Sequence, residues 1–187
     1  MRLGGRWARI GRVLLTTERL AIRPLTDDDL PALRAILQDP ETMTAYEGPF
    51  DDAGVVAWLR RMQDRYRTDG FGLWAVELRG TGEFVGQCGI TTQEIDGERV
   101  LEVGYLFDRE HWHRGYATEA AAACRDLAFA EFGAERVYAQ VRDTNLASMN
   151  VAIRLGMTVR SRFVKHYRGV DMPHLAFAVD RDPRPAR

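Results

Sequence analysis

Between Phe71 and Phe107 the chain carries three strand-like runs, FGLWAVEL, EFVGQCGI and VLEVGYLF. The third leads within a few residues into a long alanine-rich helix, through the polar joint DREHWHRG with its single glycine, Gly115. This succession limits the fold more than any other feature. The connection RGTG is far too short for a parallel crossover, so it predicts a hairpin. The connection TTQEIDGER is longer, but Asp96-Gly97 marks a turn, and an antiparallel meander is expected.

The flanking segments supply helices and further strands. TERLAIRPL alternates Leu20 and Ile22 with polar neighbours and predicts a first strand. In TDDDLPALRAILQDP, Thr26 or an early Asp can cap a helix whose Leu30, Leu33 and Leu37 share a face. Pro31 fits in its first turn, and Pro40 lies past its end. In DDAGVVAWLRRMQDRYRTDG, Val55, Leu59, Met62 and Tyr66 recur at helical spacing and Gly70 closes the helix. ETMTAYEGPF, between these helices, has no periodicity and reads as a loop or broken helix, able to move. The alanine-rich helix is expected from about Thr118 to Phe132, with Ala120, Cys124, Leu127 and Ala128 on one face. ERVYAQV is a further strand. NLASMNVAIRLG is a short helix with Ala147, Val151 and Leu155 on one side and Gly156 at its end. HLAFAV is a last strand. The fold class is a mixed α/β (α+β) arrangement in one domain, 14–180, between a flexible basic extension, 1–13, and a frayed tail, 181–187.

Charge and composition exclude several roles. A net charge of −1 creates no global field for nucleic acid or an anionic membrane. No apolar run approaches the roughly 20 residues of a membrane span, and the basic start has no signal-peptide core. A cytoplasmic protein is expected, with Cys88 and Cys124 as buried thiols. The 4 histidines are scattered, and no metal site is expected.

The chemistry concentrates where the third strand of the meander meets the alanine-rich helix. A helix N-terminus presents unpaired N–H groups and partial positive charge. Gly115 permits close approach or a positive φ, Ala117 keeps the turn narrow, and Arg114 and His113 add charge. These features suit a phosphate or pyrophosphate, and equally an ordinary tight strand-to-helix turn. Downstream, Asn145 and Ser148 stand at a strand end and helix start, where Asn145 can cap and Ser148 fill the first turn.

Both segments, in this order, resemble the GNAT superfamily of N-acetyltransferases, whose shared pattern is Q/R-x-x-G-x-G/A leading into a helix. WHRGYATE is similar to the W-G-x-G-Y-A-T-E of the RimJ/RimL-like branch, with His113 in place of its first glycine. TTERLAIRPLTDDDL and NLASMNVAIRLGM resemble that branch's opening and its N-x-x-S…L-G-F/M ending. The resemblance covers about Leu14 to Val179. It implies a GNAT-like domain with a mixed, mostly antiparallel central sheet flanked by helices, and acetyl-CoA as donor.

By the same resemblance, the backbone of Leu106 and Phe107 pairs with the pantetheine arm. The N–H groups of Trp112, His113, Arg114, Gly115, Tyr116, Ala117 and Thr118 cradle the pyrophosphate, and Asn145 and Ser148 meet the pantetheine and thiol end. The acceptor is a primary amine, either a protein N-terminus or a small molecule such as a polyamine, amino acid or aminoglycoside, and a homodimer is plausible.

Transfer to an amine needs a neutral nucleophile, donors for the oxyanion and a proton for the thiolate. Glu102 is the candidate base, against the plain reading of a solvated polar-face residue. A backbone N–H near Tyr105 or Leu106 is the oxyanion donor, and Ser148 assists the thiolate. Many GNAT enzymes carry a tyrosine where Ile153 stands, and relatives in the branch a glutamate where Arg160 stands. Arg160 either pairs with an acceptor carboxylate or stands in solvent. Trp58, Trp74 and Tyr46 line an acceptor pocket or pack in the core. A non-catalytic acetyl-CoA sensor and a phosphate-binding enzyme of another class are the alternatives.

Overall fold

A computed structural model describes residues 14–182 apart from Glu47, Asp96 and Arg168. The extension 1–13, Asp96 of the expected turn and the tail from 183 lie outside the described residues. The strands are β1 (Leu15–Thr16), β2 (Leu20–Arg23), β3 (Leu73–Leu78), β4 (Phe84–Ile95), β5 (Glu98–Phe107), β6 (Arg136–Arg142), β7 (Thr158–Tyr167) and β8 (Val170–Asp180). The helices are α1 (Leu30–Leu37), α2 (Asp52–Thr68), α3 (Tyr116–Glu131) and α4 (Leu146–Arg154). The strands form one sheet in the order β1-β2-β3-β4-β5-β6-β8-β7. Neighbouring strands in it pair antiparallel except β5 with β6, which are parallel.

The sheet has a core on each face because side chains alternate along each strand. On β3, Trp74 and Val76 join the cluster under α3 and α4, while Leu73 and Ala75 join the cluster under α1 and α2. In α1, Leu33, Ile36 and Leu37 are fully buried. Burying such a side chain contributes about 1.5–3 kcal/mol, which holds this short helix in place. Alanines along α3 bring it close to the sheet: Ala120, Ala121, Cys124 and Ala128 are fully buried, and Cys124 Sγ lies 3.7 Å from Cys88 Sγ on β4.

Several expectations change. The loop expected over TTQEIDGER is mostly strand, since β4 and β5 stay in register as far as Ile95 and Glu98. The segment ETMTAYEGPF forms one 3-10 turn, Thr42–Ala45. The alanine-rich helix starts at Tyr116, two residues earlier than expected. On α4 the buried side is Val151 and Ala152, with Leu155 beyond its end, whereas Ala147 is exposed. The strand β7 was not anticipated, because TVRSRFVKHY is largely polar. It is an edge strand paired only with β8, so it needs no continuous apolar face.

One charged cluster ties β2, β3 and the start of α1 together. Arg23 donates to both Asp29 carboxylate oxygens, at 2.8 and 2.7 Å, and to Glu77 at 2.5 Å. Burial acts to raise the Asp29 pKa, but the Arg23 and Thr26 hydrogen bonds prevail and hold it below the usual range. That stability is present above the ordinary carboxylate pKa and is lost as pH falls through the lowered one. Arg23→Met strands two carboxylates, one of them buried. It is expected to lower unfolding stability by about 3–5 kcal/mol in urea titrations at neutral pH.

Candidate active site

The strands β5 and β6 pair only at Leu101 with Val137 and Glu102 with Tyr138. Beyond that point they part, and a cleft of about 1000 Å³ opens between them. Its walls include Val103 to Phe107 on one side and Ala139 to Arg142 on the other. Asp108 N–H donates to Val85 O on β4. Antiparallel alternation then turns the Leu106 backbone groups toward β4 and those of Tyr105 and Phe107 toward the gap. The Phe107 carbonyl already accepts from the Trp112 indole N–H at 2.9 Å.

One end of the cleft is the start of α3. Gly115 is its N-cap at φ +80°, and Glu119 N–H makes the first intrahelical bond to Gly115 O at 3.1 Å. The N–H groups of Tyr116, Ala117 and Thr118 therefore have no acceptor within the helix and face an anion's natural position. His113, standing where the branch resemblance expects glycine, also has a positive φ of 60°. Arg19 secures the turn from outside. It donates to Glu119 at 2.7 Å and to the Arg114 carbonyl at 2.9 Å, and its guanidinium lies 4.7 Å from the Tyr116 ring centroid. This donor set fits the diphosphate of a CoA-type cosubstrate.

At the middle of the cleft, Asn145 Oδ1 accepts the Ser148 N–H at 3.0 Å, capping α4. The Ser148 hydroxyl donates to the Tyr105 hydroxyl at 3.0 Å, and Tyr105 donates to the Ser148 carbonyl at 2.9 Å. The Tyr105 hydroxyl went unrecognised in the sequence. Its signal was parity, since it shares a strand face with Val103 and Phe107, toward α3 and α4. Burial raises the Tyr105 pKa, and Glu102 adds to the effect.

Glu102 sits where the strands part, and its Oε1 accepts the Gln140 backbone N–H at 3.0 Å. Its side chain is half-buried and lines the cleft. Burial raises its pKa above the usual carboxylate value, against the opposing pull of Lys165, the Gln140 N–H, Thr91 and Arg65.

Of the residues expected at the site, Glu102, Leu106, Phe107, Trp112, His113, Gly115, Tyr116, Ala117, Thr118, Asn145 and Ser148 line the cleft. Arg114 is not on its wall. Arg160 also lies away from it and pairs with Asp180 at 3.0 Å. Trp58 and Tyr46 line the cleft, but Trp74 is core. His111, His113 and His174 line it too, while His166 pairs with Asp171 at the surface. Among the described residues, no group of His, Cys, Asp and Glu could hold a metal, and no helix is long and apolar enough to cross a membrane.

A parted sheet with a glycine-capped helix at its mouth defines a class of acyltransferase, and the chain belongs to it. The family model described as "Acetyltransferase (GNAT) domain" matches residues 19–158. The chain is 41% identical over 144 residues to the uncharacterized protein YkkB of Bacillus subtilis, covering 76% of this chain and 84% of that one. It is similar to the solved acetyltransferase of Agrobacterium tumefaciens (TM-score 0.76, 32% identity, 89% and 94% of the two chains). It is also similar to Mycobacterium smegmatis RimJ, solved in complex with CoA-disulfide (TM-score 0.73, 26% identity, 89% and 84%).

A Cβ at Gly115 would meet Arg19 Nη2 at 3.4 Å, an ordinary contact, so conformation is the constraint there. A β-branched residue at this φ is strained by roughly 1–3 kcal/mol. Gly115→Val is expected to weaken CoA binding about tenfold or more by calorimetry, with little change in the circular dichroism spectrum.

Proposed function

We propose that this protein transfers the acetyl group of acetyl-CoA directly to a primary amine, in the manner of the RimJ/RimL-like branch. In the transfer the amine nitrogen forms a bond to the acetyl carbon, the carbon–sulfur bond breaks, and the amine proton must leave. The observation that carries this reading is the meeting of three elements in one cleft: the start of α3, the Ser148–Tyr105 hydroxyl pair, and Glu102 at the parting of β5 and β6.

The α3 start holds the diphosphate, and the gap-facing backbone of Tyr105 and Phe107, flanking Leu106, holds the pantetheine arm. Glu102 takes the amine proton, directly or through a water. A Tyr105 backbone N–H turned into the gap stabilises the carbonyl oxygen as it gains charge. The Ser148 hydroxyl turns from Tyr105 to donate to the departing sulfur. Tyr105 stands beside Ser148 and stabilises that hydroxyl, which offsets the absence of a tyrosine at Ile153.

The acceptor is a protein N-terminus or a small amine. The buried cysteine thiols agree with a cytoplasmic setting, and association into a homodimer belongs to the same reading. The competing reading is a sensor that binds acetyl-CoA without turnover. Thiol release from acetyl-CoA, followed across a panel of amines and N-terminal peptides, separates the two. Binding without release for every acceptor favours the sensor.

Glu102 acts as a base only when ionised, and burial has raised its pKa. The kcat is therefore expected to rise with pH along a limb above the ordinary carboxylate range, and that limb should not move when the acceptor amine is changed. Glu102→Gln should abolish the limb and lower kcat by about 10²–10⁴. Because the folded pKa is raised, the proton stabilises the fold at low pH, and this contribution is lost as pH rises through the raised value. The same variant should thus match or exceed the parent in melting temperature at neutral pH.

A further inference from the structure

The acceptor end of the cleft carries an unbalanced charge. Arg61 and Arg65 on α2 and Lys165 on β7 line it, and among the described residues none of them has an ion-pair partner within 4 Å. Of the two carboxylates on the cleft wall, Glu41 is held by Arg109 at 3.0 Å, which leaves Glu102. These three cations, with Arg142 also on the wall near Lys165, thus outnumber the one unpaired carboxylate, and burial favours the neutral form of that carboxylate. Arg65 and Lys165 both act electrostatically on Glu102, so these charges share its neighbourhood. Burial and the nearby Arg65 lower the Arg61 pKa, as expected of like charges held together without a counter-ion.

Hydrogen-bonding capacity is left over in the same place. Arg65 Nη1 is buried with no partner among the described residues. So are both side-chain amide atoms of Gln140, whose backbone N–H holds Glu102. An unpaired buried donor on a guanidinium is costly, and such a group persists where a ligand completes it. Arg61 is held by its neighbour Trp58, with its guanidinium 4.8 Å from the ring centroid. The Trp58 ring is itself fixed by a 2.9 Å bond to the buried Gln87.

From this juxtaposition we infer that the acceptor is a small amine that also carries a carboxylate, as a free amino acid does. Its carboxylate sits against Arg65 and Arg61, and its amine is directed at Glu102. The inference rests on the acetyl-transfer reading and narrows it. Guanidinium groups match a carboxylate in planar, charge-assisted geometry. The like charge of the three cations repels polyamines and aminoglycosides, which carry several positive charges and no carboxylate. Gln140 completes the subsite, with its carbonyl facing the amine and its NH₂ the carboxylate.

The test compares matched acceptors with the intact chain. Initial rates are measured with acetyl-CoA for a panel of L-amino acids, the carboxamide of each, tripeptides with acidic or neutral residues after the N-terminus, and spermidine. Free amino acids are expected to exceed their carboxamides in kcat/KM by about ten- to a hundredfold, through KM, since a hydrogen bond to a charged group is lost. Arg65→Met, and independently the exposed Arg61→Gln, should shrink that ratio toward one, and Arg65→Lys should restore part of it.

A preference for acidic tripeptides over free amino acids would move the carboxylate's source to a peptide side chain and overturn the small-molecule assignment. Carboxamides or spermidine reacting as well as the acids would overturn the subsite, as would an unchanged ratio in both variants. A second readout does not need turnover. In the presence of CoA, an N-acetyl amino acid should bind more tightly than its carboxamide by calorimetry, and Arg65→Met should remove the difference. If no amine reacts but this difference is found, the transfer reading fails and the carboxylate subsite stands. If amines react and the difference is absent, the reverse holds.

Discussion

The early end of the parallel pairing between β5 and β6 is the constraint on which the site depends. Two adjacent strands that stop bonding at Glu102 and Tyr138 leave main-chain donors and acceptors without sheet partners inside the protein. Such groups are costly unless something satisfies them. The protein meets part of that demand itself: Glu102 takes the Gln140 N–H, and the Trp112 indole takes the Phe107 carbonyl. The rest is available to an extended ligand, which can lie against the exposed edge of β5 as an added strand does.

That gap also explains the electrostatics. Glu102 is held in place by the bond that replaces a rung of the ladder, and the enclosure that makes this bond strong raises its pKa. The hydroxyl pair Ser148–Tyr105 spans the same opening from α4 to β5. The start of α3 presents unpaired N–H groups at one end of the cleft, and Arg61, Arg65 and Lys165 add positive charge to its wall. One cleft thus has donor-rich or positive groups at both ends, with the Glu102 carboxyl and the Ser148–Tyr105 hydroxyl pair also on its wall.

Much of this was legible in the chain. The meander followed from two short connections, and the alanine-rich helix from its composition, because both depend on contacts close in sequence. The turn at Gly115 was legible because a positive φ and a narrow mouth restrict the residue type. Arg160 shows where such reading stopped. Its charge left both an acceptor contact and a place in solvent open, and packing sets it exposed beside Asp180 on the neighbouring strand. The edge strand β7 was missed because a strand paired on one side can be mostly polar, and its alternation is faint.

The sequence by itself determined the local elements, the anion-suited start of α3 and the N-x-x-S cap of α4, since each rests on backbone geometry within a few residues. Only the tertiary structure decided that Glu102 is half-buried on the wall of a cleft, that Tyr105 meets Ser148, and that cations from α2 and β7 share that cleft with it. Those facts arise from segments far apart in sequence, whose approach is set by the packing of helices on a parted sheet. Hydration, burial and charge balance belong to that approach, and no local pattern of residues encodes them.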